Sequence, residues 1–174
     1  MSTGTNQPDA RARLLSHFQG DFSQHGQKWD DLYKENFLPW DKGFPNPALV
    51  DLLSERQDLL PSPGRKRLKA LVPGCGKGYD VLLLSAFGYD GYGLEISSRA
   101  LDAARNTEKE MNGKGVYETR EGAEKGGITW LAGDFFEDEF LMDVKVDGKF
   151  DLIYDYTVSK SFFLRSIIRL WLMA

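Results

Sequence analysis

The stretch Leu71-Val72-Pro73-Gly74-Cys75-Gly76-Lys77-Gly78-Tyr79-Asp80 constrains this chain more than any other. The apolar run from Leu68 to Val72 reads as a buried strand. It breaks at three alternating glycines and resumes as a leucine-rich helix through Val81, Leu82, Leu83 and Leu84. A strand, a glycine turn and a helix in that order leave bare backbone N–H groups at a helix N-terminus, where a bound group can approach closely. The spacing is Gly-x-Gly-x-Gly, not the Gly-x-Gly-x-x-Gly of dinucleotide-binding turns. Taken alone, such a turn also serves as a tight connection.

A second feature narrows the choice. Tyr92-Gly93-Leu94-Glu95-Ile96 reads as the next strand, and Glu95 falls about twenty residues past Gly74. Open α/β sheets place an acid there to accept hydrogen bonds from ribose hydroxyls. Ser97 then caps a helix from Ser98 to about Met111, with Ala100, Leu101 and Ala104 on its inner face. The same alternation predicts a third strand over Ile128–Leu131 and a fourth over Phe150–Tyr154. The fourth delivers Asp155 and Tyr156 to the carboxyl-end crevice where ligands bind in such sheets. The expected class is α/β, with about four parallel strands flanked by helices.

Before the first strand the chain is helical and aromatic. Residues 1–8 are expected to be disordered, and Asp9 to cap a short helix carrying Ala12, Leu14, Leu15 and Phe18. A second helix is predicted from about Gln27 to Glu35, and the aromatic segment from Asn36 to Pro45 is irregular. Asn46 caps a third helix with Pro47 in its first position, and Ala48, Leu49, Leu52 and Leu53 form its apolar stripe. Pro61-Ser62-Pro63-Gly64 reads as a turn, Arg65-Lys66-Arg67 as a solvated basic run, and residues 112–127 as a polar, glycine-rich loop.

Composition sets limits. The 174 residues, 41% of them apolar, suit a single domain with its own core. A net charge of −4 argues against a nucleic-acid or anionic-membrane partner. One cysteine rules out an internal disulfide framework, and two histidines, His17 and His25, offer no metal cluster. With no basic-then-apolar leader pattern, a cytoplasmic location is expected.

The motifs together resemble the class I S-adenosylmethionine-dependent methyltransferases, and within them the thiopurine/thiol/halide S-methyltransferase family. The matching stretches are Trp29 to Gly43, Leu71 to Asp80, Gly93-Leu94-Glu95-Ile96, Gly133-Asp134-Phe135-Phe136 and Phe150 to Tyr156, spanning about residues 28–157. The resemblance implies a Rossmann-like fold with the four strands in the order 3-2-1-4, S-adenosylmethionine as cofactor and a small thiol, thiopurine or halide as methyl acceptor. It implies a cofactor site of Trp29, Tyr33, Trp40, Gly74, Gly76, Glu95, Asp134, Phe135 and Tyr156, with no metal. Family members cover the cofactor with tryptophans at the aromatic positions; here Tyr33 replaces one of them. Packing of the N-terminal segment is the alternative role for Trp29, Tyr33 and Trp40. Asp134 and Phe135 suit adenine, or Asp134 caps the turn that follows. Asp155 is the catalytic candidate, positioning substrate or assisting deprotonation, unless it satisfies nearby backbone. Cys75 reads as a packing residue rather than a nucleophile.

After Thr157 the resemblance stops. Residues 158–174 do not match what should follow, and Val158-Ser159-Lys160 can be encoded by a run containing a splice-donor sequence. The chain is therefore expected to be a truncated domain, monomeric when complete and aggregation-prone as given. The alternative function is an inactive cofactor-binding fragment. Arg165 and Arg169, four apart, predict a tail helix covering the sheet, with no fifth strand to extend it.

Overall fold

The computed structural model describes residues 7–60, 66–111, 124–143, 150–156 and 169–172. Residues Met1–Asp41 and Lys42–Ala174 form two compact units. In the first, α1 spans Gln7–His17 and α2 spans His25–Lys34. Helix α2 starts two residues earlier than expected because a 3-10 turn, Phe22–Gln24, runs straight into it. The unit is knitted by rings: Phe18 and Trp29 lie 4.5 Å apart, and His17 packs edge-on against Phe18 at 5.2 Å. Arg13 sits over the Phe37 ring at 3.8 Å and pairs with Glu35. Of the residues expected to be disordered, 1–6 lie outside the described residues, and Gln7 and Pro8 already belong to α1.

The second unit is built on a five-stranded sheet in the order β3-β2-β1-β4-β5. Its elements are α3 (Pro47–Glu55), β1 (Lys69–Pro73), α4 (Tyr79–Ala86), β2 (Asp90–Glu95), α5 (Ser98–Met111), β3 (Ile128–Ala132), α6 (Phe140–Asp143), β4 (Leu152–Asp155) and β5 (Arg169–Leu172). The first four strands are parallel in the expected order, with Leu71 opposite Tyr92 on one side and Ile153 on the other.

Period-two alternation splits the strands between two cores. Ala70, Val72, Leu152 and Tyr154 face Leu49 and Leu53 of α3 and Val81 and Leu84 of α4. Leu71, Leu94, Leu131 and Phe150 face the other way, against Phe140 of α6. Helix α3 begins as its sequence requires, with Asn46 Oδ1 accepting from the Ala48 N–H at 3.0 Å and Pro47 in the first turn. Ser97 Oγ accepts from the Ala100 N–H at 3.1 Å, and α5 buries Ala100, Leu101, Ala104 and Thr107 along one stripe. Strand β4 starts at Leu152 rather than Phe150 because Asp151 Oδ2 accepts from the Lys69 N–H at 2.7 Å, tying the strand entrances together.

The tail departs from expectation. Residues 158–168 and 173–174 lie outside the described residues, but Arg169–Leu172 is a strand rather than part of a helix. It pairs antiparallel with β4, Leu152 opposite Leu172 and Asp155 opposite Arg169, and so extends the ladder. The reason is the demand of β4 itself: its outer edge carries N–H and C=O groups that a helix laid across the sheet cannot satisfy.

Trp130, in the middle of β3, fills the space that two glycines leave open. Its Nε1–H donates to Glu108 Oε2 at 2.7 Å. A Cβ on Gly93 would stand 2.6 Å from the Trp130 ring and 2.9 Å from Cys75 Sγ. Gly93→Ala is therefore expected to destabilise the protein by about 1–3 kcal/mol through overpacking. Chemical denaturation of Gly93→Ala, Trp130→Leu and the double variant tests this. Strong coupling between the two sites is expected, and simple additivity would show that Trp130 does not set the glycine requirement.

Candidate functional site

The sheet's carboxyl ends gather the chemistry. After Pro73 the chain passes through Gly74, Gly76 and Gly78 with φ of +57°, +54° and +79°. These are left-handed conformations that side chains resist, so the alternating glycines are a backbone requirement. Two hydrogen bonds shape the turn: Cys75 N–H to Leu94 O at 3.1 Å, and Gly78 N–H to Cys75 O at 2.8 Å. Gly78 is the N-cap of α4 and provides no side-chain cap.

Glu95, the last residue of β2, closes the turn from the neighbouring strand. Its Oε2 accepts from Gly76 N–H at 3.0 Å, and its Oε1 accepts from Ile96 N–H at 2.9 Å and Ser97 N–H at 3.3 Å. Burial pushes its pKa up, against the opposing pull of those three N–H groups. Cys75 is half-buried beside it, and burial, reinforced by the Glu95 charge, lifts the thiol well above its usual range. Burial thus favours the thiol over the thiolate.

The remaining sheet-borne residues take three positions. Asp134 follows β3, and its Oδ1 accepts from Phe136 N–H at 2.9 Å, which is the turn-capping role. Phe135 is half-buried against the cluster of Leu71, Leu94 and Leu131. Asp155, at the end of β4, is buried, whereas the next residue, Tyr156, is exposed. Three further polar groups belong to the same strand ends and were not singled out from the sequence. Asp80 in the first turn of α4 accepts from Asn46 N–H at 2.7 Å, and Tyr154 of β4 is buried near both. The available signal was Asp80's place two residues after the last glycine.

In the first unit, Trp29, Tyr33 and Trp40 form one aromatic group. Trp29 meets Trp40 edge-on at 5.2 Å, and Tyr33 meets Trp40 at 6.3 Å. All three are half-buried. Among the described residues, no group of His, Cys, Asp and Glu is arranged to hold a metal ion, and no helix is long and apolar enough to cross a membrane.

The raised pKa of Glu95 gives a pH prediction. A carboxyl protonated more readily in the folded state contributes stability fully below its unfolded pKa of about 4.3 and loses it as pH rises through the folded value. Glu95→Gln carries the same shape without the titration. The stability of the wild type relative to Glu95→Gln should therefore fall as pH is raised from about 4. Urea midpoints over a pH series measure it, and parallel curves would show that Glu95 does not titrate abnormally.

Comparison with known proteins agrees with this geometry. Residues 24–159 match the model of the family described as Thiopurine S-methyltransferase (TPMT). Over 129 residues the chain is 36% identical to probable thiol methyltransferase 2 of Arabidopsis thaliana, covering 74% of this chain and 46% of that protein. It is 33% identical over 130 residues to thiocyanate methyltransferase 1 of Brassica oleracea, covering 75% and 47%. The chain thus spans about half the length of these curated relatives. A structure solved in work on the conversion of a disulfide bond into a thioacetal group during echinomycin biosynthesis superposes with a TM-score of 0.55. The two share 26% identity, over 79% of this chain and 50% of that one. A parallel sheet in the order 3-2-1-4, a glycine turn closed by a strand-end glutamate, and a family match over residues 24–159 lead to one conclusion: the chain belongs to the thiopurine S-methyltransferase family.

Proposed function

We propose that the protein transfers a methyl group from S-adenosylmethionine to a small thiol, thiopurine or halide acceptor. The observation that carries this is the turn of three left-handed glycines hydrogen-bonded to Glu95 across the sheet. Such a turn lets a ligand lie directly on backbone, while the acid beside it faces where ribose hydroxyls would be. When bound, S-adenosylmethionine supplies an electrophilic methyl group on a sulfonium.

The chain's own residues then have distinct tasks. Gly74 and Gly76 keep side chains out of the ligand's path. Glu95 holds the turn and offers the remaining lone pair of Oε2 to a ribose hydroxyl. Asp134 and Phe135 flank the adenine position, and Tyr156 borders the same crevice. Asp155, buried at the end of β4, orients the acceptor. Within the first unit, Trp29, Tyr33 and Trp40 form an aromatic group whose ring faces suit a cation. A thiolate or halide needs alignment in a dry pocket more than a general base. The spacing of the glycines disfavours a nicotinamide cofactor.

A second reading rests on length. Because the chain spans about half of its relatives, a cofactor-binding fragment without catalysis is the alternative. Among the described residues β5 is an edge strand of the sheet, and any self-association of the chain would run through its outer edge.

Calorimetry with S-adenosylhomocysteine and with NAD tests the cofactor, and a thiol methylation assay separates enzyme from fragment. Binding of S-adenosylhomocysteine but not NAD is expected. Glu95→Ala should weaken that binding by roughly 1–3 kcal/mol, the cost of unpaired hydroxyls. Unchanged affinity in that variant would remove Glu95 from the site, and methyl transfer at background rate with binding intact would favour the fragment.

A further inference from the structure

Residues Arg11-Ala12-Arg13-Leu14-Leu15-Ser16 lie within α1 and set two arginines five and three positions ahead of an exposed serine. Helical spacing brings Arg13 to the same side as Ser16, one turn before it. Arg13 is engaged elsewhere: its guanidinium pairs with Glu35 and lies over the Phe37 ring at 3.8 Å. The two side chains of that ion pair are 47% and 51% exposed, so the pair is worth little and is readily exchanged. A further cation is tied to the serine's own turn. Ser16 O accepts from Gln19 N–H at 3.3 Å, and Gln19 O accepts from Lys28 Nζ. An exposed hydroxyl with cations on both sides of it along the chain is placed to carry negative charge.

We propose that Ser16 is a phosphorylation site for an ATP-dependent serine kinase with an acidic substrate groove, Arg11 and Arg13 being what that groove recognises. Kinases choose substrates by such complementary charge. In the transfer Ser16 Oγ attacks the γ-phosphorus of ATP. An O–P bond forms as the bond to ADP breaks, and the hydroxyl proton passes to the kinase's catalytic carboxylate. The last turn of an eleven-residue helix opens cheaply enough to enter the groove. The product adds a charge of about −1.5 to −2 at the C-terminal end of α1, where the helix dipole disfavours an anion. Arg13 offers relief one turn away, and the phosphate draws it from Glu35 through charge-assisted hydrogen bonds. That exchange undoes the fastening of α1 to the turn at Glu35–Phe37, in which Asn36 has a φ of +52°. The modification acts on the packing of the first unit, whatever cofactor the second unit takes.

The test incubates the full chain with ATP and a purified serine kinase selective for arginine at the third and fifth positions before the serine. Mass spectrometry maps the product. Labelling at Ser16 is expected, absent in Ser16→Ala and about tenfold slower in Arg11→Ala, the worth of one charge-assisted hydrogen bond. A peptide of residues 9–21 is the positive control for the kinase. Labelling of the peptide without labelling of the chain would overturn the site, and labelling of Arg11→Ala at the wild-type rate would overturn the recognition. Phosphorus NMR then follows the second ionisation of the phosphate, which lies at about 6 when nothing perturbs it. In the folded chain its pKa should fall below the value in the urea-unfolded chain, since Arg13 favours the dianion. Glu35→Gln keeps both recognition arginines and removes the competing carboxylate, so it should lower that pKa further. Equal values in the folded and unfolded chains would show that Arg13 stays with Glu35 and would overturn the exchange.

Discussion

The carboxylate of Glu95 is the fastening on which the site depends. It reaches from the end of β2 to the Gly76 N–H in the turn after β1, and the Leu94 carbonyl beside it takes the Cys75 N–H. Two adjacent parallel strands are thereby joined beyond their own ladder. A charged acceptor on backbone N–H groups is among the stronger hydrogen bonds available to a protein. Its position is nonetheless uncomfortable, because burial raises the Glu95 pKa despite three donors. One acid therefore shapes the glycine turn and remains the group with capacity to take a ligand hydroxyl. On the proposed function, binding and folding share this residue, and neither role can be altered without touching the other.

Behind the turn the constraint passes to Trp130. Gly78 and Gly93 are both required bare by the same indole, Gly78 additionally by its left-handed φ of +79°. The ring is pinned by Glu108 of α5, so the turn, β2, β3 and α5 form one packed block. A block of this kind holds the glycine turn in one fixed arrangement, which would lower the entropic cost of binding a ligand there.

Much of this was legible in the residues. The strand–turn–helix at Leu68–Leu84, the Asn46-Pro47 start of α3 and the Ser97 cap of α5 are local signals, each with a residue whose chemistry dictates the backbone. Strand order followed from the same motifs and the resemblance they carry. What escaped was non-local. Nothing local to Trp130 says that it will meet two glycines from different elements. Nothing in Tyr154 distinguishes a core tyrosine from one with an unpaired hydroxyl until Asn46 is brought beside it. The tail was misjudged because the spacing of Arg165 and Arg169 was weighed as a helix face. The open edge of β4, a property of the assembled sheet, decided for a strand over Arg169–Leu172.

The arrangement around Asp80 has an energetic consequence for the fold. Burial lifts the Asp80 pKa, and the single N–H of Asn46 opposes that only in part. Together with the unpaired Asn46 Nδ2 and Tyr154 Oη, this places local strain of polarity at the end of the sheet where the glycine turn also lies. A fold can tolerate such a region because the cores on both faces of β1 and β4 are apolar and well filled.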